Sequence, residues 1–189
     1  KKVALVNLHI SRLKEDVERK DKFAAQDRLA TITELIPADS RLGELYDLVR
    51  AVPEPKRTVK LNIGAGVMLD LVLIRPGKFR MGSENGKSDE KPVHEVTISR
   101  SFYLGKYEVT QAQWEAVMGS NPSGFKGATL PVEQVSWEDC QEFIEKLNSK
   151  GIGTFRLPTE AEWEYACRAG TTGDYAGNLD EMAWNETNS

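Results

Sequence analysis

At 189 residues the chain is long enough for a sizeable core, and 40% hydrophobic against 29% charged residues mark it as globular, neither disordered nor fibrous. Its 25 Lys+Arg against 29 Asp+Glu give a formal net charge of −4 with no dense basic run, which argues against a nucleic-acid groove or an anionic-membrane patch. No stretch approaches the roughly 20 apolar residues of a membrane helix, and two cysteines with two histidines make neither a disulfide framework nor a convincing zinc site.

Composition changes sharply near Pro53. Residues 1–57 hold one of the 15 glycines, Gly43, and two aromatics, Phe23 and Tyr46, with 12 Lys+Arg against 10 Asp+Glu; the rest is acidic, 13 against 19. In 1–52 apolar residues recur at three- and four-residue steps: Val6, Ile10, Leu13, Val17, then Ala25, Leu29, Ile32, Leu35. That spacing predicts a helical hairpin, with Pro37 ending the second helix, a capping turn at Asp39-Ser40 and a third helix from Leu42. The run Leu35-Ile36-Pro37-Ala38-Asp39-Ser40 resembles the end of a tetratricopeptide repeat, although a plain hairpin accounts for it as well. Pro53-Glu54-Pro55 predicts a stiff linker over 53–57.

From residue 58 the pattern turns to strands and turns. Thr58–Ile63 and Val67–Ile74 flank Gly64-Ala65-Gly66, which predicts a hairpin; Pro76-Gly77 is a second turn, leading into Lys78–Gly82. The stretch 84–91 has no apolar residue and predicts a surface loop, Val93–Ser99 a strand, and Phe102-Tyr103-Leu104 another. Three short helices follow, each with a capping pattern at its start: Thr110 with Gln113, Ser136 with Asp139, and Thr159 with Glu162. Short strands with interleaved helices and long loops predict an irregular α+β domain over 58–189.

Five blocks then carry a specific likeness: Phe79-Arg80-Met81-Gly82-Ser83, Glu90-Lys91-Pro92-Val93-His94-Glu95-Val96, Tyr107-Glu108-Val109-Thr110-Gln111, Leu130–Trp137, and Arg156-Leu157-Pro158-Thr159-Glu160-Ala161-Glu162-Trp163-Glu164-Tyr165-Ala166. In this order they resemble the formylglycine-generating enzymes, or sulfatase-modifying factors. The resemblance implies a C-type-lectin-like fold, here its N-terminal half only and so incomplete. It implies oxidation of a sulfatase-peptide cysteine to formylglycine by molecular oxygen, with copper(I) held by two cysteines and with structural calcium. Those cysteines and most calcium ligands belong to the family's later portion, so no catalytic residue is carried over to this chain. Asn185 falls where some relatives have an early calcium ligand, and Cys167 matches a position that in some relatives is a disulfide cysteine.

Read by their own chemistry, the remaining candidates are structural. Cys140 and Cys167 are expected to be small buried hydrophobes, and Trp114, Trp137, Trp163 and Trp184 to be core. Glu164 and Arg168 make a favourable i, i+4 pair beside Glu160, and Glu162 is expected to close a capping box. Arg156, between apolar neighbours, is expected to pair with one of those glutamates. His94, Asp89 and Glu90 are read as ordinary surface and strand residues. Two functions stay open: a formylglycine-generating oxidase whose reacting groups lie elsewhere, and a non-catalytic lectin-like scaffold that binds a protein or small ligand. A protein or peptide partner and the rest of its own domain are the partners expected, in a bacterial cytoplasm or periplasm.

Overall fold

The structure is a computed structural model that describes residues 2–173 and 175–178. It divides into two compact units, one assembled from Lys1–Pro55, Ile74–Phe102 and Glu160–Ser189, the other from Lys56–Leu73 and Tyr103–Thr159. No helix among the described residues is long and apolar enough to cross a membrane.

In the first unit, α1 (Lys2–Glu18), α2 (Lys22–Leu35) and α3 (Leu42–Ala51) bury the stripes that their spacing predicts. Leu13 meets Ala25, Leu29 and Ile32 of α2 and Leu45 and Val49 of α3 in one cluster, where each fully buried Leu or Ile contributes about 1.5–3 kcal/mol. Asp16, nearly buried, is met by the Arg28 guanidinium at 2.6 Å, so the charge carried into this contact is paired. Asp21 caps α2 by accepting from the Ala24 amide. The capping turn expected at Asp39-Ser40 is built differently. The N-cap position of α3 is Arg41, and its guanidinium and amide engage the Asp39 carboxylate, holding the Asp39 pKa down to about 2.

The same unit contains the antiparallel ribbon of β1 (Gly77–Met81) and β2 (His94–Ile98), with Phe79 opposite Val96. The polar loop between them holds a short 3-10 turn, Ser88–Glu90. Helix α4 (Glu160–Arg168) lies against this ribbon, Tyr165 tilted over Phe79 with ring centroids 5.3 Å apart. A Cβ on Gly77 would collide with the Tyr165 hydroxyl, so glycine is required for that approach.

In the second unit, β3 (Thr58–Gly64), β4 (Val67–Ile74) and β5 (Phe102–Gly105) form a sheet in which β4 is central. The predicted β3–β4 hairpin turns through Gly64, Ala65 and Gly66, all at positive φ, with a bulge at its end. Helices α5 (Gln111–Met118) and α6 (Trp137–Ser149) complete the layer, each closed by the expected capping box. The core is Ile63, Leu69, Trp114, Phe143 and Leu147, with Trp114 stacked on Phe143 at 5.1 Å between centroids and 8° between planes. Asn148 tethers the segment after α6, donating to the Phe155 carbonyl and accepting from the Phe155 amide.

Candidate functional site

The most strongly specified irregular segment is the loop 119–135 of the second unit. It folds back on the start of α5 through backbone bonds from Gln111 to Leu130, Ala112 to Ala128 and Val132 to Val109. At its centre is Gln111, 1% exposed. Its amide nitrogen donates to the carbonyls of Phe125 (2.7 Å) and Pro131 (3.2 Å), and its oxygen accepts from Asn121 Nδ2 (2.9 Å) and the Gly127 amide (3.0 Å). Both donor hydrogens and both lone pairs of the side chain are therefore used. The loop's other anchor is Glu133, whose carboxylate accepts from the Gly124 and Phe125 amides, while buried Ser123 bonds to the Glu133 backbone.

This network holds Phe125 82% exposed, and Leu130 of the same loop is exposed as well. With its own N–H and C=O both hydrogen-bonded, the Phe125 backbone loses less conformational freedom on docking than a loose loop would, which is the property of a preorganised contact residue. The sequence showed the blocks that end at Gln111 and begin at Leu130, but not that Gln111 holds the loop or that Phe125 is displayed on it, because the bonds joining them cross up to 20 residues of irregular chain.

On α4 the inward side is organised by Glu164 and Arg168. The expected pair forms at 2.7 Å, and together the two side chains grip the peptide groups of Gly82: its N–H donates to Glu164 at 2.9 Å and its carbonyl accepts from Arg168 at 3.0 Å. Arg168 also donates to the Gly173 carbonyl. Gly82 sits at φ +95°, where a side chain would be strained and would meet the Glu90 carbonyl. This contact was only half legible: the i, i+4 pair was expected, its target 82 residues away in sequence was not.

Other expectations change. Trp137 and Trp163 are 66% and 59% exposed, not core. Trp137 is the first residue of α6, to one side of the face carrying Cys140, Phe143, Ile144 and Leu147. Trp163 shares with Glu160 and Cys167 the exposed side of α4, because the opposite side carries Tyr165, Glu164 and Arg168 to the ribbon. Cys167 is accordingly exposed rather than buried, whereas Cys140 is half-buried against the second core. Arg156 is exposed, and the Leu157 carbonyl accepts from its guanidinium as one of its contacts. His94 is exposed with Nδ1 3.0 Å from the Pro92 carbonyl, and Glu90 accepts from the Lys87 amide. Asn185 and Trp184 lie outside the described residues.

These donors do not fit the metals that the resemblance implies. Burial pushes the Cys140 thiol pKa up, with the nearby Asp139 adding to the shift, which favours the neutral thiol over the thiolate that copper(I) requires. Among the described residues no three His, Cys, Asp or Glu side chains gather as a metal site.

The sulfatase-modifying factor enzyme 1-like domain matches residues 65–189. The chain belongs to this family. A chaperone protein named LppX, from Paenibacillus barcinonensis, is 39% identical over 61% of this chain and 52% of its own length. The formylglycine-generating enzyme of Mycobacterium tuberculosis is 28% identical over 58% of this chain and 55% of its own. Among solved structures, Treponema denticola variable protein 1 superposes with a TM-score of 0.56 at 26% identity, covering 66% of this chain and 61% of that one. The fold is thus an α+β fold of the formylglycine-generating-enzyme type, and the chain spans about half the length of these two curated relatives.

Proposed function

We propose that residues 65–189 act as the scaffold portion of a formylglycine-generating-enzyme-like domain, shaping a surface for a peptide or protein rather than supplying the reacting groups. The observation that carries this reading is the state of the two thiols: Cys140 is packed against an apolar core with its pKa raised, and Cys167 stands exposed on the outer side of a helix. In this reading the oxidation of a substrate cysteine, with the copper and calcium that the family implies, draws on residues beyond those described. The test is to incubate the chain with copper(I), oxygen and a fluorescent cysteine-containing sulfatase peptide, then measure aldehyde by hydrazide labelling. No aldehyde above a copper-plus-peptide blank is expected, and robust product would overturn the proposal.

A second reading is a non-catalytic scaffold whose task is binding alone. Phe125, held exposed by the Gln111 and Glu133 network, favours it, and a relative named as a chaperone protein is compatible with it. The helices ahead of residue 65 would then belong to the same binding protein. Anisotropy of the same peptide distinguishes the two, since capture of peptides irrespective of a cysteine supports binding as the function, and dependence on the cysteine supports the oxidase.

A further inference from the structure

We propose that the first turn of α2 is a latch that makes helices α1–α3 and the β1–β2 ribbon one cooperative folding unit, so that the helices are not a detachable adaptor. The inference stands independently of either functional reading. Three consecutive side chains leave this turn for three distant segments of the same compact unit. Asp21 accepts from Ser101 Oγ at 3.4 Å while it caps its own helix. Phe23 lies under the Arg75 guanidinium, 5.0 Å from the ring centroid, a favourable cation–π distance.

Between them, Lys22 is 7% exposed. Its ammonium donates to the Val52 carbonyl at 2.8 Å and the Arg50 carbonyl at 3.4 Å, with the Glu54 carboxylate at 3.6 Å. These carbonyls end α3 and lack partners within the helix, and a cation placed there also meets the negative end of the helix dipole. The contacts fall on both sides of Pro53, two on the end of α3 and one, to Glu54, in the stretch 53–57 whose sequence predicts a stiff linker. A hinge at Pro53 would break only the Glu54 contact, so the hold of the helices on the ribbon side rests on the Asp21–Ser101 and Phe23–Arg75 contacts. Any partner that binds the folded helices therefore also stabilises the ribbon, because binding to one member of a cooperative unit is linked to the unfolding of all of it.

Hydrogen exchange on the full chain in rising urea tests this, following the amides of α2 and of β1–β2 separately. A single common midpoint is expected. Lys22→Ala, which orphans two carbonyls, should speed exchange about tenfold or more in both segments together. A ribbon that stays protected after α2 has exchanged, or an acceleration confined to α2, would overturn the proposal. Should Lys22→Ala fail to fold, the surface pair Arg75→Ala/Ser101→Ala decides. It severs the ribbon-side contacts and should split the common midpoint in two, whereas coincident and unmoved midpoints would refute the latch.

Discussion

Replacing Gln111 probes whether the Phe125 loop is held as the geometry indicates. Gln111→Met keeps length and volume but removes two donors and two acceptor positions. That leaves the Phe125 and Pro131 carbonyls, the Gly127 amide and the Asn121 amide group without this partner. A buried group left unsatisfied costs about 1–3 kcal/mol, but some of these groups lie on exposed residues and will be rehydrated, so the expected loss is about 2–4 kcal/mol and not the sum of four terms. With a urea m-value of about 1–3 kcal/mol/M, the midpoint should fall by roughly 0.7–4 M. Trp114, 4% exposed and stacked on Phe143, is the buried tryptophan that reports on this unit.

Gln111→Glu sharpens the test. A carboxylate there still accepts from Gly127 and Asn121, but now faces the Phe125 and Pro131 carbonyls with no hydrogen to give. Repulsion of the charged form raises its folded pKa above that of an unfolded glutamate. The sign follows: the variant is most stable at low pH, where the acid can donate to a carbonyl, and loses stability as pH rises above about 4 through the folded value. A Gln111→Met shift below about 0.5 kcal/mol, or a Gln111→Glu variant whose stability relative to wild type is independent of pH, would show that the side-chain amide does not hold the loop.

Asp139, depressed by the hydrogen bonds it accepts from the Ser136 backbone and hydroxyl, stabilises the start of α6. Its contribution is complete above the ordinary aspartate range near pH 4 and is lost as pH falls through the lower folded value; urea midpoints of wild type and Asp139→Asn should therefore converge in acid and diverge at neutral pH. The two thiols should also separate by reactivity. Iodoacetamide at neutral pH should alkylate exposed Cys167 well before Cys140, which is half-buried with a raised pKa, and equal rates by peptide mass mapping would contradict the packing described for Cys140.

Local chemistry was legible wherever neighbours in sequence are also neighbours in space. The capping boxes Thr110–Gln113 and Ser136–Asp139 form as spaced, and so do the Gly64-Ala65-Gly66 turn and the Glu164–Arg168 pair. The helical stripes of the first 52 residues bury the residues their periodicity selects. The tryptophans mark where such reading stops. All four looked like core by size, yet only Trp114 of the three described is buried, because burial depends on which face of a short helix meets its neighbour, and three short helices present too few turns for a stripe to declare itself.

What the sequence determined by itself is the family and the order of elements, since five motif blocks and the caps, turns and hydrophobic periods are all properties of contiguous residues. The tertiary structure alone decided the contacts that give the candidate site its character. Gln111 reaching Phe125 and Pro131, Glu164 and Arg168 closing on Gly82, and Lys22 holding the Arg50 and Val52 carbonyls at the end of α3 each join segments from 14 to 86 residues apart. A polar side chain carries no mark of a distant backbone partner. Only when the chain has folded, and an unpaired amide or ammonium would be costly, does that partner become fixed.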